Sequence, residues 1–415
     1  MSTQTPLLDP IPLRAQFPAL QLEVNGKTAV FADGPGGTQS PQSVIDAMGS
    51  YLEYGSSSPG ASFLTSQYGI EIIAQARQAM ADFLNAEPNE IVFGQNMTSL
   101  TFSISRAIAR TWQAGDEIIL TRLDHDGNIS PWLMAAEEKG VIVRWLDFDT
   151  TNGMMSLETL PDLLNEKTKL LAISYACNAL GSITDVAKAI EMAHAQNCLT
   201  FVDAVHFAPH GLVDVVALDC DFLACSAYKF YGPHTGVLYG KKEYLESLTA
   251  YKVRPATNES PGKWETGNQS YESLAGVTAA VNYIAALGGS EGDRRARIEK
   301  AVKIVKDYEI EISKRFLTGV TAVPGLKVYG LTDIERLDER TPTFAISIDG
   351  VHPAEIGKVL GEQGIFVYTG HYYAIETIKR LGLLESGGLV RIGFVHYNTF
   401  EEVDRVIDAL KTLAN

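Results

Sequence analysis

The chain has 415 residues, 46% of them hydrophobic and 20% charged, the balance of a soluble globular protein long enough for two domains. Its formal net charge of −16 argues against nucleic acid or an anionic membrane as its main partner. No apolar run is long enough to span a bilayer, and the opening "MSTQTPLLDPIPLRAQFPAL" lacks a basic stretch followed by an apolar one, so no secretory signal is read and a cytoplasmic location is expected.

In chain order, "TAVFAD" (28–33), "EIVFGQ" (90–95), "DEIILT" (116–121), "VIVRWLDFD" (141–149), "KLLAISYA" (169–176), "LTFVDAV" (199–205) and "DFLACSA" (221–227) predict strands. Helical periodicity fills 98–110, 130–139 and 184–196 between them. This alternation predicts an α/β fold with a mostly parallel central sheet covered by helices on both faces. The cysteines Cys177, Cys198, Cys220 and Cys225 show neither CxxC pairing nor zinc-finger spacing. They read as small core hydrophobes in a reducing compartment, and no metal site is expected. Residues 270–320 read as long helices. From about 320 the pattern changes to "LKVYG", "TPTFAISIDG", a helix opening at "HPAEIGKVLGEQG", then "GLVRIGFVHYN" and a last helix from Thr399. That is the pattern of a smaller α/β or α+β unit. The expected division is a large domain over 26–290 and a small domain from 1–25 and 291–415.

In a parallel sheet, ligands sit beyond the carboxyl ends of the strands, so those ends carry the candidates. "FVDAVHF" places Asp203 and His206 past one strand, and "SYACNALGSITDV" places Asn178 and Gly181 past another. "LTRLDHDGNISPW" places His125 and Asn128 past a third. "FGQNMTSLTFSIS" opens a helix at Met97–Thr98, an anion-binding N-terminus. "DFLACSAYKFYGPHTGVLYG" puts one lysine, Lys229, among apolar and aromatic residues. Taken singly these are turn and cap residues, and Lys229 alone reads sooner as a surface lysine on the loop after a strand. Together they offer an amine, a carboxylate, an imidazole, amide donors and a phosphate cradle at one sheet edge. That set is what pyridoxal phosphate requires: a lysine for its aldehyde, an anion for its ring nitrogen and a face for its ring.

With "VDAVHFAPH", "SAYKFYGP", "ETGNQ" and the terminal R-x-G-x-x-H-Y-N-T-x-E-E-V-D, the chain resembles the fold-type-I pyridoxal-phosphate enzymes called class V aminotransferases. Within them it resembles the cysteine desulfurase group, from "VFADGPGGTQSPQSVIDAM" to "VRIGFVHYNTFEEVDRVI". The resemblance implies roles. Lys229 would form the Schiff base with the cofactor and move protons at Cα. Asp203 would hold the ring nitrogen protonated, and His125 would stack on the ring; these three are the catalytic residues implied. Asn178 and His206 would bond the ring hydroxyl side, and Met97, Thr98, Ser226 and Tyr228 would lie around the phosphate. Gly267 and Asn268 would reach the phosphate of a neighbouring copy, implying a homodimer. Arg391 would pair with the carboxylate of a small amino-acid substrate.

The chain departs from that group where substrate would sit. The desulfurase pattern R-T-G-H-H-C-A falls on "VYTGHYYAIETIKRLGL" (367–383), with Tyr373 at the cysteine position and Tyr368 at the arginine position. No cysteine follows Cys225, and a phenol cannot carry a persulfide. Tyrosine precedes the lysine in "SAYK" where the group has histidine, Asn268 replaces a threonine, and "SSPGAS" lacks a His-Arg-Gly. His371, Tyr372 and Tyr373 read as a polar-aromatic loop lining the substrate pocket, with His371 and Tyr373 as substrate-binding candidates, and equally as aromatics that pack the small domain. The expected reaction is β-elimination at a Cβ–S bond, as in cysteine or cystine lyases, since elimination needs no protein nucleophile. An aminotransferase or epimerase, a desulfurase using an external thiol acceptor, and a catalytically silent partner-binding protein stand as alternatives. A dinucleotide enzyme is excluded, because no strand is followed by G-x-G-x-x-G.

Overall fold

A computed structural model describes residues 7–414 of the chain. At its centre lie seven strands: β1 Ile91–Gly94, β2 Glu117–Thr121, β3 Ile142–Leu146, β4 Thr168–Ser174, β5 Leu199–Asp203, β6 Phe222–Ser226 and β7 Gly236–Gly240. Their order in the sheet is β1-β7-β6-β5-β4-β2-β3. From β6 to β3 every pairing is parallel, while β7 runs antiparallel to both its neighbours. Alternate side chains feed two separate cores. Ile119, Leu171, Ile173, Val202, Leu223 and Cys225 face one, and Ile118, Leu120, Leu170, Ala172, Phe201 and Phe222 face the other. This explains why β2 and β6 are buried at every position, as strands covered on both faces must be. Only the edge strand β3 alternates between exposed and covered positions.

A second, antiparallel sheet contains β8 Leu326–Tyr329, β9 Thr343–Ile348, β10 Tyr368–Gly370 and β11 Leu389–Gly393, in the order β8-β9-β11-β10. Phe316, Phe344, Ile346, Ile392, Phe394, Val406 and Leu410 fill its own core, under the helices Arg294–Val320 and Phe400–Ala414. The last helix opens on a capping box: Thr399 Oγ1 accepts from Glu402 N, and Glu402 Oε2 accepts from Thr399 N, both at 3.2 Å.

One predicted strand belongs elsewhere. From "TAVFAD" only Val30–Phe31 is a strand, and it pairs in parallel with Ile365–Phe366 instead of joining the seven-stranded sheet. Val30 and Ala32 pack into the second core, and Gly393 N donates to Ala32 O at 2.8 Å. The turn Gly34–Gly36 ends the extended run too early for a longer ladder. The strand β7, bounded by glycines, was not among those expected from the sequence.

The two sheets meet along a hydrogen-bonded seam. Thr341 N donates to Gly181 O (2.8 Å) and Ile183 N to Glu339 O (2.9 Å). Gly181 has φ +83°, and a Cβ there would lie 2.5 Å from Thr343 O, so the seam requires glycine at this position. Among the described residues no helix is long and apolar enough to cross a membrane.

Candidate active site

The carboxyl ends of β2, β4, β5 and β6 open onto a cavity of about 960 Å³, closed from the other side by Tyr368, Tyr372, Tyr373 and Arg391 of the second unit. Met97, Thr98, His125, Asn178, Asp203, His206, Ser226, Tyr228, Lys229, His371, Tyr373 and Arg391 all line it. Residues from distant parts of the sequence are thus brought together by strand ends and the seam. Gly267 and Asn268 are not among them. Both are exposed, and the Asn268 side-chain amide donates to Ser58 Oγ at 2.8 Å.

Lys229 ends a single 3-10 turn, Ala227–Lys229, directly after β6. Its Nζ donates to Pro35 O, and Tyr228 carries its ring 5.0 Å from the same ammonium. Burial, then the Arg391 charge, bring the amine down to about 7, against the pull of Asp203 and Asp33. Asp203, the last residue of β5, is lifted to about 6 by burial, with the Val205 amide and Lys229 opposing. Its Oδ1 accepts from Val205 N at 2.9 Å. His125 is held down to about 4 by burial and by the charges of Lys229 and Arg391. Its Nδ1 accepts from Gly127 N at 2.9 Å, which puts the ring proton on Nε2.

Arg391 lies in β11 and is 5% exposed. Its Nη1 donates to Asn178 O at 3.0 Å, and its guanidinium stands 4.7 Å from the Tyr372 ring and 5.6 Å from that of Tyr368. The Asn178 side-chain amide in turn donates to Tyr372 O at 3.0 Å. His206 has its Nε2 between the hydroxyls of Thr341 and Thr343, each at 3.1 Å. What Asn178 and His206 keep for a ligand is therefore Oδ1 and Nδ1.

Sequence reading missed Asp33, whose carboxyl is lifted to about 6 by burial, with its own backbone amide, Arg391 and Lys229 opposing. It also missed His234, stacked on Tyr228 at 4.9 Å, and Phe102, one helical turn past Thr98; His234 and Phe102 both line the cavity. The Gly-Pro-Gly turn after Asp33 was the available signal, because such turns bring backbone close to a site.

These residues fit pyridoxal phosphate on physical grounds. Buried atoms at the cavity wall lack partners: Asn178 Oδ1, Ser174 Oγ and Arg391 Nε. A cavity that leaves such groups unsatisfied is one shaped for a polar ligand. At the start of the helix Met97–Ala109, the Met97 amide donates to Ser226 Oγ and the Ser99 amide to the cap Asn96. Thr98 stands between them at the helix's positive end.

The profile of the family described as aminotransferase class-V matches residues 30–406. A cysteine desulfurase of Pectobacterium carotovorum is 32% identical over 418 aligned positions, covering 97% of each chain. One of Escherichia coli is 31% identical over 421, again 97% of each. Among solved structures, the cysteine desulfurase CsdA of Escherichia coli, as its S-sulfonic acid, superposes with a TM-score of 0.83 at 27% identity over 98% of both chains. The apo cysteine desulfurase of Thermococcus onnurineus shares the fold, with a TM-score of 0.86 at 24% identity over 99% of both. The chain belongs to the class-V aminotransferase family, as a pyridoxal-phosphate-dependent enzyme of its cysteine desulfurase group.

Proposed function

We propose that the protein is a lyase that eliminates a thiol from Cβ of a small amino acid, leaving no sulfur on the enzyme. Bound in the cavity, pyridoxal phosphate supplies the electron sink that acidifies an amino acid's Cα–H. Asp203 would keep the cofactor's ring nitrogen protonated, His125 would offer its ring as a stacking face, and Thr98 with Ser226 would hold the phosphate. Arg391, which spends only Nη1 on a protein acceptor, holds the substrate carboxylate. Lys229 takes the proton from Cα and holds it on Nζ. Tyr372, which is buried, covers that side of the cavity.

A single observation carries the choice of elimination over sulfur transfer. The loop facing substrate, 368–373, presents phenols and an imidazole, while all four thiols of the chain are buried. Burial raises the Cys177 thiol to about 11 and that of Cys198 to about 12, and pushes those of Cys220 and Cys225 up as well. Buried thiols of this kind are poor nucleophiles. Iodoacetamide treatment of the holoenzyme tests this: turnover should be unchanged after prolonged exposure. Inactivation in proportion to one alkylated cysteine would mean a thiol participates.

The same reading has the protein working as a homodimer, with Gly267 and Asn268 reaching a neighbouring copy. It is supported by Leu52, Tyr54, Phe63 and Leu64, each more than half exposed.

A further inference from the structure

Tyr373 is placed unlike the other tyrosines of the cavity. It lines the site yet is 66% exposed, so its phenol meets both the ligand space and bulk water. Its ring stacks on His125, with centroids 5.5 Å apart and planes 26° from parallel. Its carbonyl accepts from Asp126 N at 2.6 Å, and its amide donates to His371 Nδ1 at 3.2 Å. Tyr372 and Tyr373 both adopt left-handed backbone, at φ 52° and 58°, a conformation that is unfavourable for a bulky residue. Two successive outliers persist only where the surroundings hold them, and here Asn178 grips the carbonyl of the first while Asp126 grips that of the second.

Several other proton-bearing groups of the cavity are less suited to deliver a proton to a departing sulfur, and His234 lies stacked on Tyr228, with centroids 4.9 Å apart. His125 is neutral with its Nδ1 used, and His206 has Nε2 committed to two threonines. His371 spends Nδ1 on the Tyr373 amide, and Tyr368 lies over Arg391, on the carboxylate side. The Tyr372 hydroxyl is buried out of reach of solvent, and burial raises the Tyr228 phenol.

We propose that Tyr373 is the general acid of the elimination, the residue that protonates the leaving thiolate. This rests on the lyase reading given above. As Lys229 removes the proton at Cα, the electrons of that C–H bond form the Cα–Cβ double bond. The Cβ–S pair leaves on sulfur, and the Tyr373 O–H proton moves to that sulfur to give a neutral thiol. The phenolate recovers its proton from water, which its exposure admits.

A leaving-group series tests this on the holoenzyme. S-methyl-L-cysteine, L-cysteine and S-(4-nitrophenyl)-L-cysteine release thiols of different basicity, highest for the methyl compound and lowest for the nitrophenyl one, and good leaving groups do not need an acid. For Tyr373→Phe, which keeps the ring on His125, elimination from S-methyl-L-cysteine should fall about 100-fold while the nitrophenyl substrate stays within about threefold. An equal loss on all three substrates, or none, would overturn the proposal. Wild-type protein that releases no thiol from any of them would overturn the lyase reading and this proposal with it, a result distinct from either. Should Tyr373→Phe prove unstable, Tyr373→His, a smaller ring with its own donor, should retain the flat dependence on leaving-group basicity that Tyr373→Leu loses.

Discussion

Lys229 owes its reactivity to its neighbours as much as to its own amine. An ammonium this deeply buried is destabilised, and the Arg391 charge adds to that, so the neutral nucleophile predominates above about pH 7. The cofactor aldehyde reacts only with the free amine. The rate at which cofactor-free protein takes up pyridoxal phosphate should therefore rise through about pH 7 and level off above it. Arg391→Gln removes a cation and should move that midpoint up; Asp203→Asn removes an anion and should move it down. A midpoint unmoved by either change would contradict the electrostatic account. Lys229→Ala should lose the visible absorbance of the lysine-linked cofactor, and a variant as coloured as the wild type would refute the assignment of that lysine.

The elements were legible to unequal degrees. The buried strands β2, β4, β5 and β6 announce themselves as short, nearly continuous apolar runs, since a strand covered on both faces has no polar side. Their carboxyl ends can be read from sequence, which is why Lys229, Asp203, His125 and Asn178 group together there. The strand Val30–Phe31 could not be assigned to a sheet, because two residues carry no periodicity and pairing with Ile365–Phe366 spans most of the chain. Asp33 was lost for the same reason, as its value lies in a long-range approach to Arg391. The seam is likewise invisible in sequence, although it sets where Arg391 lies. Gly181→Ala puts a Cβ 2.5 Å from Thr343 O at φ +83°. It should cost about 2 kcal/mol or more in urea unfolding and raise KM for substrate more than it lowers kcat, by displacing Arg391 from the Asn178 carbonyl. An unfolding midpoint equal to that of the wild type would mean the seam is pliable.

At the scale of the molecule, the cavity lies between the strand ends of the seven-stranded sheet and residues 368–391 on the other side, and a ligand filling it contacts both. Ligands that bind only the folded state stabilise it by mass action, about 2.7 kcal/mol at a free concentration a hundredfold above Kd. Pyridoxal phosphate should raise the thermal unfolding temperature in a concentration-dependent way, and by less for Lys229→Ala. Absence of any shift would argue against the cavity as its binding site. The acidic surface implied by a net charge of −16 leaves Arg391 as a local positive group in the cavity, suited to the carboxylate of a small amino acid. The most direct test of the whole reading is to incubate the purified holoenzyme with L-cysteine and identify the carbon product. Elimination predicts pyruvate and ammonia in equal amounts, with sulfide free in solution. Alanine, with the sulfur retained on protein or passed to an added thiol, would contradict it.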